Sequence, residues 1–139
     1  MTNESSPQEG AARPLVLIVE DDLLMRVFYE RLFKQQAHDL SYRLEESAES
    51  ALDYLRANRV DAIITDWDLP KMTGIVLVKA LRSHLSTKAL PIIVVSGRTG
   101  PGYMDIAVKA GASDYFSKPF EIETILERLR TLLRGKGGV

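Results

Sequence analysis

No cysteine occurs among the 139 residues. Its absence removes disulfide staples, thiolate nucleophiles and cysteine-based metal sites together, and fits a reducing compartment. Long apolar runs are missing as well: no uninterrupted stretch approaches the roughly 20 residues that a membrane-spanning helix needs. The opening MTNESSPQEGAARP lacks the apolar centre of a signal peptide. A cytoplasmic protein is the expectation. Charge of one sign is equally scarce, since 18 basic residues stand against 19 acidic ones for a formal net charge of -1. With no long basic run, neither nucleic acid nor an anionic membrane is an expected partner, which leaves another protein.

The hydrophobic fraction of 45% suffices for the core of one ordinary domain. Residues 1–13 have the Ser, Glu, Pro and Gly content of a disordered lead-in, and 135–139 read as a flexible tail, leaving 14–134 as the working domain. Within it, short apolar runs alternate with segments of helical period, the pattern of parallel strands joined by crossover helices. LVLIV (Leu15 to Val19), AIIT (Ala62 to Thr65) and IIVVS (Ile92 to Ser96) are continuous β-rich runs, as in strands buried on both faces. YRLEES (Tyr42 to Ser47) alternates and predicts a more exposed strand, and DYFS (Asp114 to Ser117) a short edge strand. Leu24, Val27, Phe28 and Leu32 form one helical stripe, and Ala48, Ala51, Leu52 and Leu55 another after the cap candidate Ser47. A third helix should begin near Thr73 with Ile75, Val78 and Leu81 inward, and the last holds Ile122, Ile125, Leu126, Leu129, Leu132 and Leu133. Gly100, Pro101 and Gly102 delay the fourth helix, which is expected over Tyr103 to Ala110 after a long, mobile loop. The prediction is a doubly wound α/β domain of five β-α units.

In an open parallel sheet, residues just past the carboxyl ends of strands face the crevice where ligands bind. The first strand is followed by Glu20, Asp21 and Asp22; the central one ends at Asp66 with Asp68 two residues on; the fourth ends in Ser96 and Gly97; the fifth is followed by Lys118 and Pro119. Carboxylates gathered in one crevice repel one another unless a cation compensates, and hard oxygen ligands of this kind suit Mg²⁺. Mg²⁺ held by few protein oxygens keeps positions open for water and phosphate, while a nearby ammonium and hydroxyl match the oxygens of a phosphoryl group. The composition of this crevice points to phosphoryl transfer with a carboxylate nucleophile.

VEDD, TDWDLPKMTG, VSG and SKPF, in this order after the first, third, fourth and fifth strands, resemble the receiver domains of two-component response regulators, including the chemotaxis-type single-domain regulators. The resemblance spans nearly all of 14–134 and implies a flavodoxin-like sheet of strand order 2-1-3-4-5. It implies that Asp66 is the phosphoacceptor, that Asp21 is the main acidic Mg²⁺ ligand beside it, and that Glu20 assists through water. Asp68 would offer its backbone carbonyl to the metal, Ser96 would bond a phosphoryl oxygen, Gly97 would leave room beside it, and Lys118 would pair with the phosphoryl charge. Pro119 would follow a cis peptide bond that aims Lys118 inward. It further implies a histidine kinase or histidine phosphotransfer protein as donor and an altered face around the fourth helix, fifth strand and fifth helix as output. Tyr115 would move as Ser96 is drawn to the phosphoryl group. The downstream target is not named by the sequence, and phosphorylation-dependent homodimerisation is left open.

Thr73 stands where the family often has an acid, and a threonine there still caps a helix. Asp68 and Arg98 flank the route of attacking water and are expected to set the lifetime of the phosphorylated state. Plainer readings stand beside these: acids after a strand as helix caps, Asp66 as a turn residue before Pro70, Lys118 as a solvated lysine, Tyr115 as a fixed edge aromatic, Trp67 as a neighbour without chemistry. His38 and His84 lack metal-ligand spacing. A rival from another class is a phosphohydrolase of the haloacid-dehalogenase type, with Asp66 and Asp68 as its acid pair, although Pro70 and the two preceding β-α units depart from that pattern. A flavin-binding module would need a phosphate-cradling loop where three acids stand, and a docking-only pseudo-receiver would not need the full set of acids, hydroxyl and lysine.

Overall fold

Apolar side chains at successive positions of LVLIV, AIITD and IIVVS can be buried only if both faces of the strand are covered. The computed structural model describes residues 12–136 and covers them so. Five strands, β1 (Leu15–Val19), β2 (Ser41–Glu45), β3 (Ala62–Asp66), β4 (Ile92–Ser96) and β5 (Asp114–Ser117), alternate with α1 (Leu23–Gln36), α2 (Ala48–Leu55), α3 (Gly74–Arg82), α4 (Tyr103–Ala110) and α5 (Ile122–Lys136). All strands are parallel and lie in the order β2-β1-β3-β4-β5, the flavodoxin-like order that the resemblance implies. Successive residues of a strand point to opposite faces. Leu17, Val19, Ile63, Ile92 and Val94 therefore pack with Ala51, Leu77, Val78 and Ala107 of α2, α3 and α4. Val16, Ile18, Ile64, Ile93 and Val95 pack on the other face with Tyr29, Phe33, Ile125 and Leu129 of α1 and α5.

Helix starts follow side-chain capping. Asp22 accepts from the Met25 N–H, Ser47 from Ser50 and Thr73 from Val76, each relieving an orphan donor of a first turn. Gly102 opens α4 at φ 102° without a side-chain cap, a conformation that glycine adopts at little cost. β2 is displaced by one residue at its start from the expected Tyr42, and it stops at Glu45 because Ser47 serves as the cap of α2. Its Ser41, Tyr42 and Leu44 are buried, so it is less exposed than its alternation suggests.

The inward face of α1 differs from the expected one. Leu24 and Phe28 are 77% and 44% exposed, whereas Tyr29 and Phe33 are buried and Met25 and Leu32 partly so. LLMRVFYERLF has eight apolar or aromatic residues among eleven, so two stripes one residue, about 100°, apart are both available. The stripe with the aromatic pair wins: Tyr29 stacks on Phe120 at 5.7 Å and Phe33 meets Tyr42 at 5.7 Å. At the other end of the domain α5 includes Gly135 and Lys136, two residues past the expected boundary at 134. The expected lead-in and tail fall mainly on 1–11 and 137–139, outside the described residues. Among the described residues no helix is long and apolar enough to cross a membrane.

Candidate functional site

Register sets the site. Asp66 ends β3 opposite Val95, and Ser96 ends β4 opposite Ser117, one residue before Lys118. Glu20 N–H donates to the Glu45 carbonyl at 3.0 Å and Lys118 N–H to the Ser96 carbonyl at 2.7 Å. Each ladder thus continues one residue past its strand and holds these side chains at the carboxyl edge. The Lys118–Pro119 peptide bond is cis, as expected, and the Lys118 ammonium stands 3.4 Å from both Glu20 Oε1 and Asp66 Oδ1. The ammonium thus bridges the ends of β1 and β3.

Glu20, Asp21 and Asp66 bring one carboxylate oxygen each within 4.8 Å of one another. Glu20 and Asp66 are buried and Asp21 is exposed, so the cluster has a buried floor and an exposed edge. Burial raises the Glu20 carboxyl above its ordinary pKa, and the Asp66 charge adds to this. Burial likewise raises Asp66, outweighing Lys118. Burial works against the charged Lys118 too, but Asp66 and Glu20 overcome it and hold the ammonium above its usual pKa. Asp66 Oδ1 is buried and accepts no hydrogen bond, because the Lys118 contact at 3.4 Å does not complete one. An orphaned anionic oxygen beside two further carboxylates is a donor set that fits a hard divalent cation with oxygen preference. Three carboxylates around one ammonium leave the cluster short of positive charge.

Raised carboxyl pKa values give this pocket a definite pH linkage. In the metal-free protein the folded state binds these protons more tightly than the unfolded chain. The stabilisation that results is full below the ordinary carboxylate range and lost as pH rises through the raised folded values. A cation binds the charged forms, so its stabilising effect should grow over the same window. Added Mg²⁺ is expected to raise Tm clearly in mildly alkaline buffer and much less in acidic buffer. A Tm increment that is equal at both pH values, or larger in acid, would rule out binding at these carboxylates.

The acid loop is held by a residue that the sequence reading does not single out. Arg26 Nη1 donates to the carbonyls of Glu20 at 3.0 Å and Asp21 at 2.8 Å, and Asp22 N–H donates to Glu20 Oε2 at 3.1 Å. The cap Asp22 and Arg26 four residues later are the only sequence signal of this clasp. Gly74 is a second such residue. Its N–H donates to the Trp67 carbonyl at 2.8 Å, and a Cβ there would overlap the Asp66 carbonyl oxygen and lie 3.0 Å from Trp67 Cα. A Cβ at Gly97, by contrast, would meet nothing within 4 Å.

On the rim, Ser96 is fully buried and its Oγ accepts from the Arg98 N–H at 2.9 Å. Tyr115 is buried, not splayed at the sheet edge, and its hydroxyl donates to the Arg98 carbonyl at 2.8 Å. Asp68 and Arg98 pair with each other: Nε and Nη2 of Arg98 donate to Asp68 Oδ1 at 3.0 and 2.8 Å. The Asp68 side chain, half exposed and committed to Arg98, is not grouped with Glu20, Asp21 and Asp66 in the acid cluster. That counts against the dehalogenase-type use of Asp66 and Asp68 as a paired nucleophile and acid.

The chain matches the family described as the response regulator receiver domain over residues 16–130. It is 34% identical over 119 residues to the chemotaxis protein CheY homolog of Campylobacter jejuni, covering 85% of this chain and 91% of that protein. Mycobacterial response regulators MprA match at 34% identity, and this chain spans only 50% of their length. Among solved structures, a putative response regulator from Chloroflexus aurantiacus superposes with a TM-score of 0.81 at 32% identity, covering 88% of this chain and 98% of the other. The chemotaxis response regulator CheY4 of Vibrio cholerae gives 0.76 at 28% identity, with 87% and 99% covered. Nothing among these matches supports a dehalogenase-type hydrolase. With its strand order, acid pocket and cis-Pro-flanked lysine, the chain belongs to the response regulator receiver domain family of two-component signalling proteins.

Proposed function

We propose that Asp66 of this receiver accepts a phosphoryl group and that the change is read on the surface formed by α4, β5 and α5. The observation that supports it best is the buried Asp66 oxygen without a hydrogen-bond donor, next to two more carboxylates and the Lys118 ammonium. The donor would be a histidine kinase or histidine phosphotransfer protein, and the target a further protein. Mg²⁺, held by Glu20, Asp21 and Asp66 and by the Asp68 backbone carbonyl, would neutralise charge on the transferred group. A carboxylate oxygen of Asp66 forms the new P–O bond as the P–N bond to the donor imidazole breaks, and the proton returns to that imidazole. Lys118 pairs with the phosphoryl charge, Ser96 donates its hydroxyl proton to a phosphoryl oxygen, and Gly97 leaves the approach open. Asp68 and Arg98 lie on the water side and tune hydrolysis of the acyl phosphate; identical dephosphorylation rates for Asp68→Asn, Arg98→Ala and the unaltered protein would remove them from that role. Residues 14–134 are the proposed working unit, and a cytoplasmic location fits the cysteine-free composition.

The direct test is intact mass after incubation with a small phosphodonor. One added phosphoryl group is expected with Mg²⁺ present, none with a chelator, and the adduct should be labile to hydroxylamine as an acyl phosphate is. A phosphoryl group found on a serine or histidine would overturn the assignment.

A further inference from the structure

Arg98 has more partners than a residue that only meets water would need. Besides pairing with Asp68, its guanidinium carbon lies 5.2 Å from the centroid of Trp67 and 5.7 Å from that of Tyr103. Trp67 in turn meets Tyr103 edge-on at 5.6 Å and Tyr115 at 6.0 Å. The Arg98 main chain is tied at both polar atoms, its N–H to Ser96 Oγ and its carbonyl to the Tyr115 hydroxyl. One residue thus touches the rim hydroxyl, the β3–α3 loop, β5 and the first turn of α4.

That first turn has few other fixings. α4 starts on a glycine in the left-handed region without a side-chain cap, and Ala107 is its buried residue. Met104, Ile106 and Val108 are about half exposed, at 53%, 48% and 49%. A helix that leaves this much apolar surface exposed gains less from packing, so the contacts at its first turn weigh in where it sits. Arginine over aromatic faces is attractive through the ring quadrupole, so the position of Tyr103 follows that of Arg98.

We infer that the Trp67–Arg98–Tyr103 stack is a latch that holds α4 in its unphosphorylated position, with Arg98 and Tyr103 acting as positioning residues. The inference rests on the proposed reading of Asp66 as the phosphoacceptor. Drawing Ser96 Oγ toward a group on Asp66 withdraws the acceptor from the Arg98 N–H. The Arg98 main chain then keeps only its carbonyl bond to the Tyr115 hydroxyl and can shift about it, its guanidinium leaves the aromatic faces, and α4 loses its tether. A contact made in only one of two arrangements biases the equilibrium by its own free energy, so the latch opposes phosphorylation as much as phosphorylation opposes the latch.

The experiment is calorimetric titration of beryllofluoride in the presence of Mg²⁺, paired with amide hydrogen exchange across α4. Arg98→Ala and Tyr103→Leu are expected to bind beryllofluoride about 5- to 10-fold more tightly than the unaltered protein, and Tyr103→Phe, which keeps the ring, within about threefold of it. Exchange at 103–108 should speed up in Arg98→Ala and Tyr103→Leu only without beryllofluoride, and be alike in all variants once it is bound. A merely structural role would speed exchange in both states and would not tighten binding. Binding to the unaltered protein with no gain in the variants overturns the latch alone. If the unaltered protein does not bind beryllofluoride, the Asp66 reading falls and the latch with it.

Discussion

Asp66→Asn is expected to abolish phosphoryl incorporation from any donor while making the metal-free protein more stable. The first effect is complete because the amide has no anionic oxygen with which to form the P–O bond. The second follows from the pocket's electrostatics. Burial raises both Glu20 and Asp66, and Asp66 raises Glu20 further, so ionising both carboxylates beside the one Lys118 ammonium costs the folded protein stability. Replacing one charge with a neutral group of the same shape removes the repulsion and keeps the packing. Relief of this kind is on the order of 1 kcal/mol, a rise of a few degrees in Tm for a domain of this size. The same change should cancel most of the Tm increase that Mg²⁺ gives the unaltered protein. Intact mass after phosphodonor treatment and thermal melts with and without Mg²⁺ check both halves. A variant that still gains a phosphoryl group, or one that melts earlier than the unaltered metal-free protein, would show that Asp66 is not the strained acceptor described.

The residues proposed to do chemistry are legible in the sequence because chemistry restricts them one by one. Acids, hydroxyl and lysine at four strand ends mean little singly, and the periodicity that places them at one edge of a parallel sheet is what joins them. The predicted starts and ends of β1, β4, β5 and α4 coincide with the observed ones, since each is fixed locally by a β-rich run or by Gly102 and Gly111. What the sequence hid depends on distant chain. The inward face of α1 departs from the predicted one because its phase is chosen by Phe120 and Tyr42, residues outside the helix. Arg26 carries no signal beyond its spacing from the cap Asp22, although it binds two carbonyls of the acid loop. Trp67 looked like a bystander because its partners Arg98 and Tyr103 lie on another loop and helix. Gly97 of the VSG motif has open space beside it, and the close approach of main chain falls instead at Gly74, which no local signal marks.

That contrast between two glycines makes the sharpest packing prediction. Gly74 caps the turn after Asp66, with its N–H on the Trp67 carbonyl, and the space for a side chain is already filled by main-chain atoms of Asp66 and Trp67. A flexible side chain can swing aside from an added methyl group, but a strand end joined into the sheet cannot. Trp67 N–H is bonded to the Val95 carbonyl at 3.0 Å, so moving Asp66 and Trp67 away from α3 would strain the β3–β4 ladder. Gly74→Ala should therefore cost about 3 kcal/mol, the upper part of the usual range for overpacking, and lower Tm by roughly 10 °C. It should also weaken Mg²⁺ binding measured well below the melting range, because the carboxylate that moves belongs to the acid cluster. Gly97→Ala, with nothing within 4 Å of the added carbon, should leave Tm within about 2 °C of the unaltered protein. Equal melting temperatures for the two alanine variants would mean that α3 can retreat from Asp66 at little cost, and that the turn does not fix the carboxylate.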